Sequence, residues 1–377
     1  MFLPLLVALP ALAQRPVEFE KRPGLALEND KLSLTVLTDG GAFASLLLRD
    51  DPERMNPMWE PIRMAREDGA APGFGFSMGH FVCVDGFGPV SPEEQAAGLP
   101  GHGEAHRQKY EILSSGRSGP RIQVVMRAQL PLVQETFTRT IELADGENVV
   151  AVTSELESLL AFDRPVNWAE HATIGSPFLA PEATVVDLSA GPCQTRFHAA
   201  RRNAPVPHRL SDSKPFSWPM APTVDGGTIN LRTAPKTPMM DHTTCAMDPN
   251  RRLAWVTALH LEKRLLVGYL FRRAEFPWTQ NWLHYPPNGK MARGLEFSTQ
   301  PFDVPRRQAV ETASLFRVPA YRWLPAKSKI GGRFLMFYTR TPEGMRRVDE
   351  VTLEGSRLVI EDRASGKRVE LATTQSL

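Results

Sequence analysis

Cysteine is scarce in this chain: three of 377 residues, Cys83, Cys193 and Cys245. No Cys-x-x-Cys occurs, which argues against a structural zinc site. An exported chain could pair two of the three and leave one free, and spacing does not choose the pair. The other reading makes each a small buried side chain. Excess charge of either sign is also missing. The 44 basic and 42 acidic side chains give a net charge of +2, with no run of like charges, so nothing points to a nucleic-acid or polyanion partner. Repeats of fixed period are absent, which disfavours a propeller, and no low-complexity linker divides the chain. Gly-x-Ser-x-Gly, the Walker loop and Gly-x-Gly-x-x-Gly are all lacking; the glycines of "GFGFSMGH" (73–80) fit no such spacing. These absences leave a nucleophilic triad and a phosphate-cradling loop without support in the sequence.

Long apolar runs are missing beyond the N-terminus. There, "MFLPLLVALPALAQ" is apolar over residues 2–13, and Ala11-Leu12-Ala13 resembles a small-x-small cleavage site. The stretch is too short to span a bilayer and lacks a positive n-region. It reads as an export signal over residues 1–13, implying a periplasmic or secreted protein with no stable membrane insertion.

What the sequence has in quantity is proline and glycine, 33 and 27 residues, spread so that long helices are interrupted. Between them lie segments of period two: 31–37, 121–130, 135–143 and 148–158, with further strands expected at 252–260, 264–272, 333–339 and 357–361. Asp39-Gly40, Asp145-Gly146 and Asp225-Gly226 stand where hairpins turn. One short helix fits 91–97. Residues 199–222, rich in Pro and Arg, read as a surface excursion. The expected fold is all-β: a large sandwich of mostly antiparallel strands with few short helices, one domain over 14–377, and function on its loops.

Three of the settings that hold histidines also hold other chemistry. "GLPGHGEAHRQ" (98–108) carries His102, Glu104, His106 and Arg107. A helical His-x-x-x-His could ligate a metal, but Pro100, Gly101 and Gly103 oppose a helix. A glycine-rich loop that lets a sugar approach the backbone, or a solvated polar loop, are the other readings. "PVNWAEHATIGSPF" (165–178) carries Trp168, Glu170 and His171; on a regular strand Trp168 and His171 face opposite ways. "FPWTQNWLHYPPNGKMARGLEFSTQPF" (276–302) carries Trp278, Trp282, His284, Tyr285 and Glu296. Its rings suit either the C–H face of a pyranose or an aromatic core.

Taken together, "ENDKLSLTVLTDGGAFASLLLRD" (28–50), "LPGHGEAHRQKYEI" (99–112) and "GLEFSTQPF" (294–302) resemble three stretches of the aldose 1-epimerase, or galactose mutarotase-like, superfamily, in the same order. The resemblance implies a β-supersandwich of about thirty strands with the sugar in an open cleft and no cofactor or metal. It implies general acid–base chemistry, in which a carboxylate takes the anomeric proton and an imidazolium protonates the ring oxygen. By that resemblance Glu296 is the base, His171 the acid, and His102 holds the ring oxygen. His106, Arg107, Trp168, Trp282 and Asp225 complete the expected substrate-binding set, for a mono- or oligosaccharide. The sequence departs from the family pattern at Glu170-His171-Ala172, at His106 where Arg is common, and at "NPMWEP" (56–61).

Two other functions fit the same features. One is a non-catalytic saccharide-binding protein using Trp168 and Trp282. The other is a polysaccharide-cleaving enzyme, which needs a second carboxylate, Glu104 or Asp225, at a set distance from the first.

Overall fold

The structure, a computed structural model, describes residues 14–71, 77–197 and 206–377. The expected export signal, His198 and residues 199–205 lie outside the described residues. Strand accounts for 52% and helix for 6%. The period-two segments become strands almost at their expected bounds. In Arg121–Leu130, Ile122, Val124, Met126, Ala128 and Leu130 are all buried, and the residues between them are exposed or half-buried. The Asp145-Gly146 turn joins Glu135–Ala144 to Val149–Ser158, with Gly146 at φ 79°. The short helix forms at Pro92–Ala96, started by a capping box between Ser91 and Glu94.

Two sheets face each other. The larger has 14 strands and runs from Gln14–Phe19 at one edge through Phe43–Leu48, His80–Val84 and Trp168–Gly175 to Trp278–Tyr285, Met239–Met247 and Ala190–Thr195. The second has eight strands, from Thr184–Leu188 to Glu111–Ser118. Their facing sides share one apolar core that includes Leu34, Phe137, Trp168, Tyr269 and Phe297. A three-stranded sheet over Glu350–Ala372 covers the outer face of the eight-stranded one through Leu358, Ile360 and Leu371 against Trp255, Leu266 and Phe337. The expected excursion is only partly a loop. Pro215–Ser217 and Met220–Pro222 extend the large sheet, because Leu210 and Ala221 bury against Leu231. Cys193 and Cys245 sit opposite each other on paired strands and form a disulfide; Cys83 remains a buried thiol.

A charged cluster is sealed between the sheets. Arg139 reaches across and donates from Nη2 to Glu170 Oε1 at 2.5 Å, His80 Nε2 lies 2.8 Å from Glu170 Oε2, and Trp168 Nε1 donates to Glu170 Oε1 at 3.1 Å. Burial alone would raise the Glu170 carboxyl, but Arg139 and His80 outweigh it and hold it below its usual value. The Arg139 guanidinium lies over the rings of Phe43 and Phe137. Removing Arg139 or Glu170 alone would strand the buried charge of the other at a cost of about 3–5 kcal/mol. The cluster therefore pins strand Trp168–Gly175 to the second sheet, and that strand carries His171 on its other face.

Candidate active site

The site is on the outer face of the large sheet. Alternation along Trp168–Gly175 sends Trp168, Ala172 and Ile174 into the core and leaves Ala169 and His171 on the opposite side. The neighbouring slot is filled by two short strands, Ala292–Gly294 and Glu296–Ser298, interrupted at Leu295, whose N–H donates to Ala172 O at 2.7 Å. This puts Glu296 beside His171: Nε2 of His171 is 3.4 Å from Glu296 Oε1. Glycine at 294 leaves room for the Glu296 carboxyl, which a Cβ there would displace.

The 98–108 loop closes the third side. Gly103, at φ 74°, packs so tightly on Val84 that a Cβ would overlap the Val84 carbonyl. The preceding residue, His102, is itself left-handed at φ 66°. Its Nδ1 accepts from Gly88 N–H at 3.2 Å and lies 3.5 Å from Cys83 Sγ. Nδ1 is thus an acceptor, and the ring proton sits on Nε2 as a donor. His106 follows, with Nε2 3.3 Å from Arg107 Nε. The His102 and His171 rings meet edge to face with centroids 5.3 Å apart, and the His102 and His106 rings at 6.2 Å. Phe81 stacks on His171 at 4.2 Å. Across the site, half-buried Trp282 stacks on His284 at 5.5 Å and meets Trp59 edge-on at 6.0 Å.

A second carboxylate stands nearby. Asp303 pairs with Arg196 and lies 3.3 Å from His242 Nδ1, while His242 Nε2 is 3.0 Å from Gln280 Oε1. Gln280 is the strand partner of Glu296. Burial raises the Glu296 carboxyl well above its ordinary value; Asp303 adds to this and Arg196 opposes it. Burial lowers all three imidazoles: His171 falls well below its usual range with help from His102, and His106 falls to about 3. Burial therefore favours the neutral form of each partner in the Glu296–His171 pair.

The structure brings together His102, His106, His171, Trp282 and Glu296, and it corrects three assignments. Trp168 is fully buried in the inter-sheet core against Phe137 and Phe276, because it faces away from His171. Asp225 lies in the exposed hairpin turn after Met220–Pro222, bonded to Thr223 and Gly227, since an Asp-Gly pair serves the turn itself. Glu104 is buried and holds its own loop by accepting from Val133 N–H and Gln108 Nε2, so neither expected carboxylate is the second acid. Arg107 is exposed at the rim behind His106. Sequence reasoning missed Trp59, Phe81, Arg196, His242 and Asp303. Only Asp303 carried a local signal, directly after "STQPF". Among the described residues, no group of three or more His, Cys, Asp or Glu side chains could hold a metal ion.

The fold is that of the galactose mutarotase-like proteins. A galactose mutarotase-like protein from Clostridium acetobutylicum matches with a TM-score of 0.57 and 13% identity, over 87% of this chain and 99% of its own. A galactose mutarotase related enzyme from Lactobacillus acidophilus matches with a TM-score of 0.57 and 14% identity, over 88% and 100%. One from Lactobacillus casei, described as galactose mutarotase-like, gives 0.55 and 14%, over 84% and 100%. No protein-family model and no curated protein matches the sequence.

Proposed function

We propose that this chain interconverts the anomers of a sugar by general acid–base ring opening at the Glu296–His171 pair. The observation that carries the reading is their 3.4 Å approach inside a wall of two further imidazoles and Trp282. A proton passing from the Glu296 carboxyl to His171 Nε2 turns the neutral pair into a carboxylate base and an imidazolium acid without changing the net charge. Glu296 then takes the proton of the anomeric hydroxyl, His171 gives its proton to the ring oxygen, and the C1–O5 bond breaks. After rotation about the C1–C2 bond, the same transfers run in reverse and close the ring on the other face. His102 contributes an Nε2–H toward the ring oxygen, and Trp282 offers its face to the C–H side of the sugar.

Polysaccharide cleavage fits less well, because the nearby carboxylate Asp303 is already engaged by Arg196 and His242. Replacing Glu296 by Gln tests the proposal. Polarimetry on a panel of pure anomers should show a loss on the order of 100-fold or more. Unchanged interconversion in the variant would rule out Glu296 as the base, and saccharide binding by the wild type without interconversion would leave a binding protein instead. We also place the protein in an oxidising compartment, on the strength of the N-terminal apolar stretch and the Cys193–Cys245 disulfide. Its recovery in the reducing cytosol with residues 1–13 retained would overturn that.

A further inference from the structure

A second cleft, of about 680 Å³, opens past the strand that carries Glu296, and none of the His102, His171 or Glu296 side chains lines it. Its size is that of a small-ligand site. Arg273, Arg317, Arg322, Tyr321 and Trp323 line it, together with one carboxylate, Glu275. That carboxylate is already committed: it accepts from Arg272 Nη1 at 3.0 Å and from Arg333 N–H at 2.7 Å. Arg322 gives one N–H to Gly331 O and Arg273 one to Arg251 O. Arg317 is exposed and makes no hydrogen bond or ion pair among the described residues. The cleft thus carries an excess of guanidinium charge.

The backbone points the same way. Arg317 sits with Phe316 at the tip of the hairpin Ser314–Leu315 to Val318–Pro319, and both have left-handed φ, 51° and 63°. Such a tip ordinarily takes Asn-Gly, because a Cβ is strained there. A bulky pair in that position costs stability, and strained tips of this kind concentrate at binding sites. Beside it, Trp323 is 56% exposed and meets Tyr321 edge-on at 5.7 Å. A simple anion leaves the aromatic corner unused, and a neutral sugar leaves the excess guanidinium charge without a counter-charge. A uronate ring uses both: its C–H face stacks on the indole and its carboxylate takes a forked guanidinium.

We propose that this cleft is a second binding site for an acidic saccharide chain, anchored by Arg317 and carried on Trp323. The test is calorimetric titration of the full chain with trigalacturonate, with maltotriose and sodium sulfate as controls at matched ionic strength. The expected result is binding of trigalacturonate alone, weakened about tenfold or more in Arg317→Gly and in Trp323→Ala. Arg317→Gly should also melt no lower than the wild type, since glycine relieves the left-handed strain. Anomer interconversion of a free monosaccharide should be unchanged in both variants. The proposal fails if trigalacturonate does not bind, if maltotriose binds equally, if sulfate displaces the acidic trisaccharide, or if both variants bind as tightly as the wild type.

Discussion

His171 and Glu296 come from strands that are far apart in the chain, yet Nε2 of one lies 3.4 Å from Oε1 of the other. Both are buried, and burial drives each toward its neutral form. The opposed shifts of the two groups have measurable consequences.

Stability should depend on pH through Glu296. Its folded pKa is raised above the ordinary carboxylate value, so the folded state holds a proton that the unfolded state releases. The folded protein therefore loses stability as pH rises through the unfolded pKa, and the loss stops growing above the folded one. Glu296→Gln removes this liability. The variant should melt above the wild type at pH 8, and the two curves should converge near pH 4. A constant gap across that range would refute the assignment.

Activity should follow the same pair. Burial lowers His171 and raises Glu296, so the singly protonated state is bounded by a lowered imidazole limb and a raised carboxyl limb. The acid limb of the kcat profile should lie below the ordinary imidazole range and the alkaline limb above the ordinary carboxylate range. An acid limb near 6.5 would show an exposed, unshifted histidine instead.

Trp168 and Trp282 should behave oppositely. Trp168→Ala empties a filled core position and should cost about 3–5 kcal/mol in denaturant unfolding. Trp282→Ala should unfold nearly as the wild type but raise KM about tenfold. Equal loss of stability in the two variants would place both rings in the core.

Gly294→Ala should impair catalysis without unfolding the sheet, because its methyl group would displace the Glu296 carboxyl. Circular dichroism should match the wild type while polarimetric turnover drops. Full activity would mean that the carboxyl is not needed where it now sits.

Cys83 lies on the site face, 3.5 Å from His102 Nδ1. Burial, aided by Glu296, pushes its thiol well above the usual range. Iodoacetamide at neutral pH should therefore leave the folded protein active and label Cys83 only after denaturation. Rapid labelling of the native protein would show an open, ionised thiol.

Much of the fold was legible because strand formation leaves a local record. The alternation in "RIQVVMRAQL" and the Asp-Gly pair at 145–146 specify which side chains are buried and where the chain turns, using only neighbours in sequence. The same rule of alternation already set Trp168 and His171 on opposite faces, and the structure placed the indole in the core. Part of the site, His102, His171 and Glu296, could be named from motif resemblance, though nothing local says that they converge.

Convergence belongs to the tertiary structure. Asp303, Arg196 and His242 meet through a turn, a strand end and a strand that carry no shared pattern. Glu296 reaches His171 only because two short strands share one slot between Trp168–Gly175 and Trp278–Tyr285. Their proton affinities were equally out of reach of the sequence. Whether a carboxyl or an imidazole holds its charge depends on the water excluded around it, and the whole sheet decides that exclusion. The sequence by itself determined the strands, their turns and the faces each side chain takes, because these follow from period and local sterics. Only the packed sheets decided which of those faces meet and what charge survives there, because distance and desolvation are properties of the assembled chain.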